Sequence, residues 1–185
     1  MVIRKLCPAV FLDRDGVLCR TIVRNGKPYA PRRMEDFKLM PNSLHSVMLL
    51  KQQGFKVFVV TNQPDIGNGL VTLEIVESMH QKLRGKTMVD DVFLCAHRQD
   101  EGCECRKPNP GMLLDASKKH GVDLSKSFMV GDRASDIEAG QRSGCRTIFI
   151  DRHYAEPRPL NPEATVNSLQ KAVAYIITNN KIKSL

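Results

Sequence analysis

The 185-residue chain contains no tryptophan and only three tyrosines and seven phenylalanines. With so few aromatics, and no Lys/Arg run interleaved among them, neither a stacking platform for single strands nor a groove-reading basic helix is visible, which argues against a nucleic-acid-binding module. Also missing is any run of about 18 apolar residues, so no membrane span is expected. Residues 1–9 carry Arg4 and Lys5 but no apolar stretch, so no secretory leader is expected either. These absences point to a cytoplasmic protein with no membrane partner. In a reducing compartment, six cysteines signify metal binding or chemistry rather than a disulfide framework.

The composition that remains is 42% apolar and 26% charged, sufficient for a single domain over 1–185 whose core needs no cross-links. The formal charge of +8 is unevenly placed. Residues 1–33 hold Arg4, Lys5, Arg14, Arg20, Arg24, Lys27, Arg32 and Arg33 against only Asp13 and Asp15. Such an excess fits an anionic partner, whether nucleic acid, a membrane surface or a phosphorylated small molecule, and it also fits solvated loops.

Short apolar runs at 9–12, 56–60, 89–94, 127–130 and 147–150 alternate with helical patterns. Asn42 is placed to cap a helix carrying Leu44, Val47, Met48 and Leu50 up to Gly54, and Thr72 to cap one carrying Ile75, Val76, Met79 and Leu83. Further helices are expected over 111–120, ended by Gly121, over 136–143, and at the end of the chain through Leu169, Val173, Ile176 and Ile177. Residues 151–166, with Pro157, Pro159 and Pro162, read as an irregular return. The alternation predicts an α/β fold: a mainly parallel sheet with helices on both faces. In such sheets ligands bind beyond the carboxyl ends of the strands. Four polar clusters fall there: DRDGV at 13–17, TNQ at 61–63, CAH at 95–97 with CECRKP at 103–108, and GDRASD at 131–136.

Asp13 and Asp15 repel each other at a strand tip unless a divalent cation neutralises them, and Asp132 offers a further oxygen for Mg2+. With that ion in place one aspartate attacks phosphorus while the other handles the proton. Thr61 and Asn62 offer a hydroxyl and an amide to phosphoryl oxygens, and Lys107 a compact cation. Taken singly, DxDG is also an ordinary strand-end turn and Thr-Asn an ordinary cap. It is their order along the chain that is specific.

In that order, FLDRDGV (11–17), VVTNQ (59–63), RKPNPGM (106–112) and MVGDRASD (129–136), the sequence resembles the haloacid dehalogenase superfamily of phosphotransferases. The resemblance spans most of the chain and implies a Rossmann-like fold and a Mg2+-dependent phosphatase. Asp13 would form an aspartyl-phosphate, and Asp15 would protonate the leaving oxygen and then activate water. Thr61 and Lys107 would hold the phosphoryl group. Asp13, the backbone carbonyl of Asp15 and Asp132 would coordinate Mg2+, with Asp136 ordering the loop. No large insertion separates the first two motifs or follows the second, so no large cap domain is expected.

Cys95, His97, Cys103 and Cys105 form C-x-H-x5-C-x-C, a complete tetrahedral set for Zn2+ with no open position, which argues for a structural zinc loop over about 95–105. Bound metal would fix Arg106 and Lys107 at the site. Cys7, Cys19 and Cys145 have no such partners. A loop of this kind is similar to those of two groups in the superfamily, the D-glycero-D-manno-heptose 1,7-bisphosphate phosphatases and the histidinol-phosphate phosphatases. The five-residue gap between His97 and Cys103 resembles the second group. TNQPDIGNGLVT and CRKPNPGM resemble the first, which is favoured, although Pro64-Asp65 departs from its usual Ser-Gly. The implied substrate is a small phosphorylated sugar, with Asn62, Gln63, Arg106 and Arg133 as binding residues and the basic 18–33 segment, with Arg14, as an electropositive rim. A monomer is expected. The competing class is a nucleic-acid end-processing or binding protein.

Overall fold

The computed structural model describes residues 6–181, so Arg4 and Lys5 lie outside the described residues. In chain order the elements are β1 (Ala9–Leu12), β2 (Ile22–Arg24), β3 (Lys27–Tyr29), α1 (Ser43–Gln52), β4 (Lys56–Asn62), α2 (Pro64–Gly67), α3 (Leu73–Thr87), β5 (Asp91–Cys95), α4 (Gly111–His120), β6 (Phe128–Gly131), α5 (Ala134–Arg142), β7 (Arg146–Ile150), β8 (Ala164–Val166) and α6 (Leu169–Lys181). Six strands form one sheet in the order β5-β4-β1-β6-β7-β8, parallel throughout. Strand order reverses about β1, which pairs with β4 on one side and β6 on the other. That reversal opens a crevice beyond the end of β1, where open α/β sheets bind ligands.

β1 is buried on both faces, and its alternation sorts the core into two layers. Val10 and Leu12 pack with Val47 and Leu50 of α1, Met79 and Leu83 of α3, and Val173 and Ile176 of α6. Ala9 and Phe11 face the opposite layer, with Met112 and Leu113 of α4 and Ala139 of α5. Phe11 lies 5.7 Å from Phe58, ring centre to ring centre, and truncating either to Ala costs about 3–5 kcal/mol in a core packed this way. Among the described residues no helix is long and apolar enough to cross a membrane.

The five expected strands are present, and the structure adds three. Residues 22–29, expected as loop, form a β2–β3 hairpin with Asn25 and Gly26 both at positive φ, as a tight two-residue turn demands. The supposed irregular return ends in β8, which pairs with β7. Three-residue strands are too short to show a period in sequence. Asn42 does not cap α1 with its side chain: it sits at φ 63, whereas a capping residue needs extended backbone. The Ser43 hydroxyl instead donates to the Met40 and Leu18 carbonyls. Leu44 and Met48 are exposed, so the buried stripe of α1 is carried by Val47 and Leu50. Among the described residues, what lies between β1 and β4 is one hairpin and one helix, and the expected absence of a large cap agrees with that.

Candidate active site

Each strand tip around the crevice delivers one part of a charged cluster. Asp13 follows β1, Thr61 and Asn62 end β4, Asp132 follows β6, and Asp136 lies in the first turn of α5. Gly16 closes the turn after Asp13 at φ 85, and a Cβ there would stand 1.7 Å from Asp132 Oδ2, so only glycine lets the two acidic strand ends approach. Lys107 arrives on the loop between β5 and α4. The amide of Asn62 pins its backbone twice: Nδ2 donates to the Lys107 carbonyl at 3.0 Å and Oδ1 accepts from its N–H at 3.1 Å.

Lys107 Nζ is buried and donates to Asp13 Oδ1 (2.8 Å), Asp136 Oδ1 (2.6 Å) and the Val60 carbonyl (2.7 Å), which uses all three of its protons. Burial opposes its charge, but Asp13 and Asp136 outweigh burial and raise its pKa. Asp136 Oδ2 accepts from the Arg133 N–H at 3.0 Å, so both oxygens of Asp136 have protein partners. Asp132 differs: both its oxygens are buried and neither has a hydrogen bond of good geometry, the Tyr154 hydroxyl being the donor beside them. Burial holds its pKa well above the ordinary carboxylate value, and the Asp13 and Asp136 carboxylates add to that. Asp13, Asp132 and Asp136 each place an oxygen within 4.8 Å of the others. Two orphaned oxygens beside further carboxylates are a hard, anionic donor set, and they fit a divalent ion of the Mg2+ type.

Asp15 lines the same cleft but is held by a separate set of donors. Its Oδ2 accepts from Arg14 Nε (3.0 Å), Arg14 Nη2 (2.8 Å) and Gln63 Nε2 (2.7 Å), while Oδ1 is buried without a partner. Burial raises the Asp15 pKa and so does Asp13, against the lowering effect of Arg14. A carboxyl raised in this way beside a second carboxylate suits proton transfer.

The cleft over these groups is walled by the β2–β3 hairpin (Lys27, Tyr29), by Arg32 and Asp65, paired at 2.7 Å, by Gln99 of the cysteine loop, and by Arg133 and Glu156. The four sulfur and nitrogen atoms of Cys95, His97, Cys103 and Cys105 lie within 4.8 Å of one another. Neighbouring pairs stand at 3.6 Å (Cys95 Sγ to His97 Nδ1 and to Cys103 Sγ), 3.2 Å (His97 Nδ1 to Cys105 Sγ) and 3.5 Å (Cys105 to Cys103). Zn–S bonds of about 2.3 Å at tetrahedral angles imply S–S edges of about 3.7 Å, so the set fits a closed zinc site.

A "HAD-hydrolase-like" family model matches residues 104–172. The chain is 36% identical over 146 residues to a D-glycero-beta-D-manno-heptose-1,7-bisphosphate 7-phosphatase of Pseudomonas aeruginosa, covering 76% of this chain and 79% of that one. It is 32% identical over 169 residues to the enzyme of the same name from Photorhabdus laumondii, covering 85% of each. The chain belongs to this family of haloacid-dehalogenase-like phosphatases. Among solved structures, the D,D-heptose 1,7-bisphosphate phosphatase of B. bronchiseptica, complexed with magnesium and phosphate, superposes with a TM-score of 0.79 at 26% identity over 93% of this chain and 99% of that one. A putative HAD-like phosphatase from Mesorhizobium loti gives 0.72 at 28% identity, over 96% and 90%.

Within this phosphatase the structure brings Asp13, Thr61, Lys107 and Asp132 together, and it gives several residues expected as substrate ligands protein partners of their own. Gln63 is buried and bonds Asp15 and Thr61, so it holds other site residues rather than facing the cleft. Asn62 commits its amide to Lys107, and Arg133 is clamped by Glu156 at 2.9 and 2.5 Å. Arg14 is fully buried, not part of a rim. Arg106 lines the cleft with Nη1 buried and unpartnered, as a group awaiting an anion would be. Glu156, Tyr154 and His80 belong to none of the motifs and join the site only in the fold. Tyr154 shares a 3.0 Å hydrogen bond with Thr21 beside the acidic cluster, and its only sequence signal is an aromatic in a proline-rich return.

Proposed function

We propose that this phosphatase removes the 7-phosphate of D-glycero-D-manno-heptose 1,7-bisphosphate by way of an aspartyl-phosphate on Asp13, acting as a monomer in the cytoplasm. The observation that carries the chemistry is the convergence of Asp13, Lys107 and Asp132 at the floor of a cleft with the free Oδ1 of Asp15 beside them. A carboxylate oxygen of Asp13 attacks phosphorus as the bond to the sugar oxygen breaks, and Asp15 gives that oxygen its proton. Asp15 then takes a proton from water, whose oxygen attacks the phosphoryl group and frees Asp13. Thr61 gives its hydroxyl proton to a phosphoryl oxygen, Lys107 exchanges one of its three present acceptors for another, and Arg106 takes the distal phosphate through its planar fork. Mg2+, held by Asp13, Asp132 and the Asp15 carbonyl, would neutralise charge developing on the phosphoryl oxygens. Zn2+ on Cys95, His97, Cys103 and Cys105 would keep the segment carrying Arg106 and Lys107 in place.

The substrate assignment rests on the names of the relatives and on a cleft that Arg106 lines together with Asp13 and Lys107. Phosphate release from both anomers of heptose 1,7-bisphosphate, histidinol phosphate and a 3′-phosphorylated oligonucleotide tests it. Preference for the bisphosphate is expected. Preference for histidinol phosphate would move the chain to the neighbouring group, and preference for the oligonucleotide would move it to another class.

A further inference from the structure

The three donors on Asp15 leave one oxygen tied and one free, and the main donor is itself held from behind. Arg14 is 0% exposed and lies with its guanidinium carbon 5.6 Å from the centre of the Phe37 ring. Nε and Nη2 face Asp15, and Nη1 lies 3.2 Å from His80 Nε2 on α3. Arginine has no acceptor, so Nη1 donates and Nε2 accepts, which places the imidazole proton on Nδ1, 3.5 Å from Glu77 Oε2. His80 is itself buried, and burial, with Arg14 and then Arg84, pulls its pKa down to about 3, so it stays a neutral acceptor.

We propose that His80 and Arg14 are positioning residues for Asp15: His80 fixes the Arg14 fork, and the fork fixes which carboxyl oxygen exchanges the proton with the leaving group. The proposal rests on the assignment of Asp15 as general acid and base made above. Stability alone is a weak reason to bury an arginine, since hydrophobic replacement of such pairs is often neutral or stabilising. One that orients a reacting carboxyl has a reason to be buried beside it.

The test compares kcat/KM on heptose 1,7-bisphosphate, whose leaving alkoxide needs a proton, with kcat/KM on 4-nitrophenyl phosphate, whose leaving group needs little. This ratio reads proton donation in the first transfer, whereas a merely structural loss lowers both rates alike. His80→Leu is expected to reduce the first by about tenfold or more and the second by less than about threefold. His80→Gln, which keeps an acceptor near the Nε2 position, should restore most of the loss. Arg14→Lys keeps the cation without the fork and should show the same skew, which covers the case in which His80→Leu does not fold. Equal losses on both substrates, or no recovery in a His80→Gln protein that melts at the wild-type temperature, would overturn the proposal. Asp15→Asn separates it from its parent. If that variant lacks the skew, the assignment of Asp15 fails; if it has the skew and the His80 and Arg14 variants do not, only the positioning fails.

Discussion

The molecule holds two clusters of mutually repelling ligands, one of carboxylates at the strand tips and one of thiols on the loop after β5, and they handle the repulsion in opposite ways. In the acidic cluster a buried lysine satisfies Asp13 and Asp136 and leaves Asp132 with two bare oxygens beside an open cleft. In the thiol cluster four donors close on one another at 3.2–3.6 Å with no position left over. Burial, reinforced by the neighbouring sulfurs, pushes the Cys105 thiol up, so that it stays protonated unless a bound cation favours the thiolate. An incomplete donor set invites substrate and a closed one fixes backbone. On the proposed function, the first would serve turnover and the second stability.

Substitutions can separate the two. Asp13→Asn is expected to lower phosphate release by at least about a thousandfold while zinc content and melting temperature stay near wild type, as metal analysis and calorimetry would record. Retained turnover would break the division at once. Cys105→Ser should act in reverse, removing about one zinc per chain and costing on the order of 4 kcal/mol in denaturant titration, with activity falling as a consequence of the loosened loop. Zinc-free protein of unchanged stability would show that the closed set is incidental.

A smaller effect concerns the buried groups behind the acidic cluster. Folding lowers the pKa of His80 from 6.5 to about 3, so the unfolded chain takes up a proton that the fold refuses. Stability from this group is present above pH 6.5 and is lost as pH falls toward about 3, at about 1.4 kcal/mol per pH unit. Unfolding titrations of the wild type and His80→Gln near pH 7 and near pH 5 should diverge at the lower value, and parallel behaviour would mean that His80 titrates as it does in the unfolded chain. The smallest effect is expected at the cleft wall. Arg32 is 42% exposed in its pair with Asp65, so Arg32→Ala should cost no more than about 1 kcal/mol and change KM more than kcat.

Asp13, Asp132 and Lys107 are legible in the sequence because each stands beside a strand or within a spaced motif, where local sequence sets position. The four zinc-type ligands are legible for the same reason, with eleven positions holding the whole donor set. Asn62, Gln63 and Arg133 occupy the right loops but turn to partners remote in sequence: Lys107 is 45 residues from Asn62, and Glu156 is 23 from Arg133. His80 carries no motif at all. It lies on the buried stripe of α3, and its meaning comes from an arginine 66 residues earlier.

By itself, then, the sequence determined the parallel layered fold, the strand ends that meet at the crevice, and the chemical types gathered there, because period, burial and motif spacing are local properties. Only the tertiary structure decided which polar groups remain free. Asp15 Oδ1, Asp132 and Arg106 Nη1 lack partners while Gln63, Asn62 and Arg133 have them. Hydrogen-bond saturation depends on every neighbour a side chain meets after the layers pack, and no segment carries that information alone.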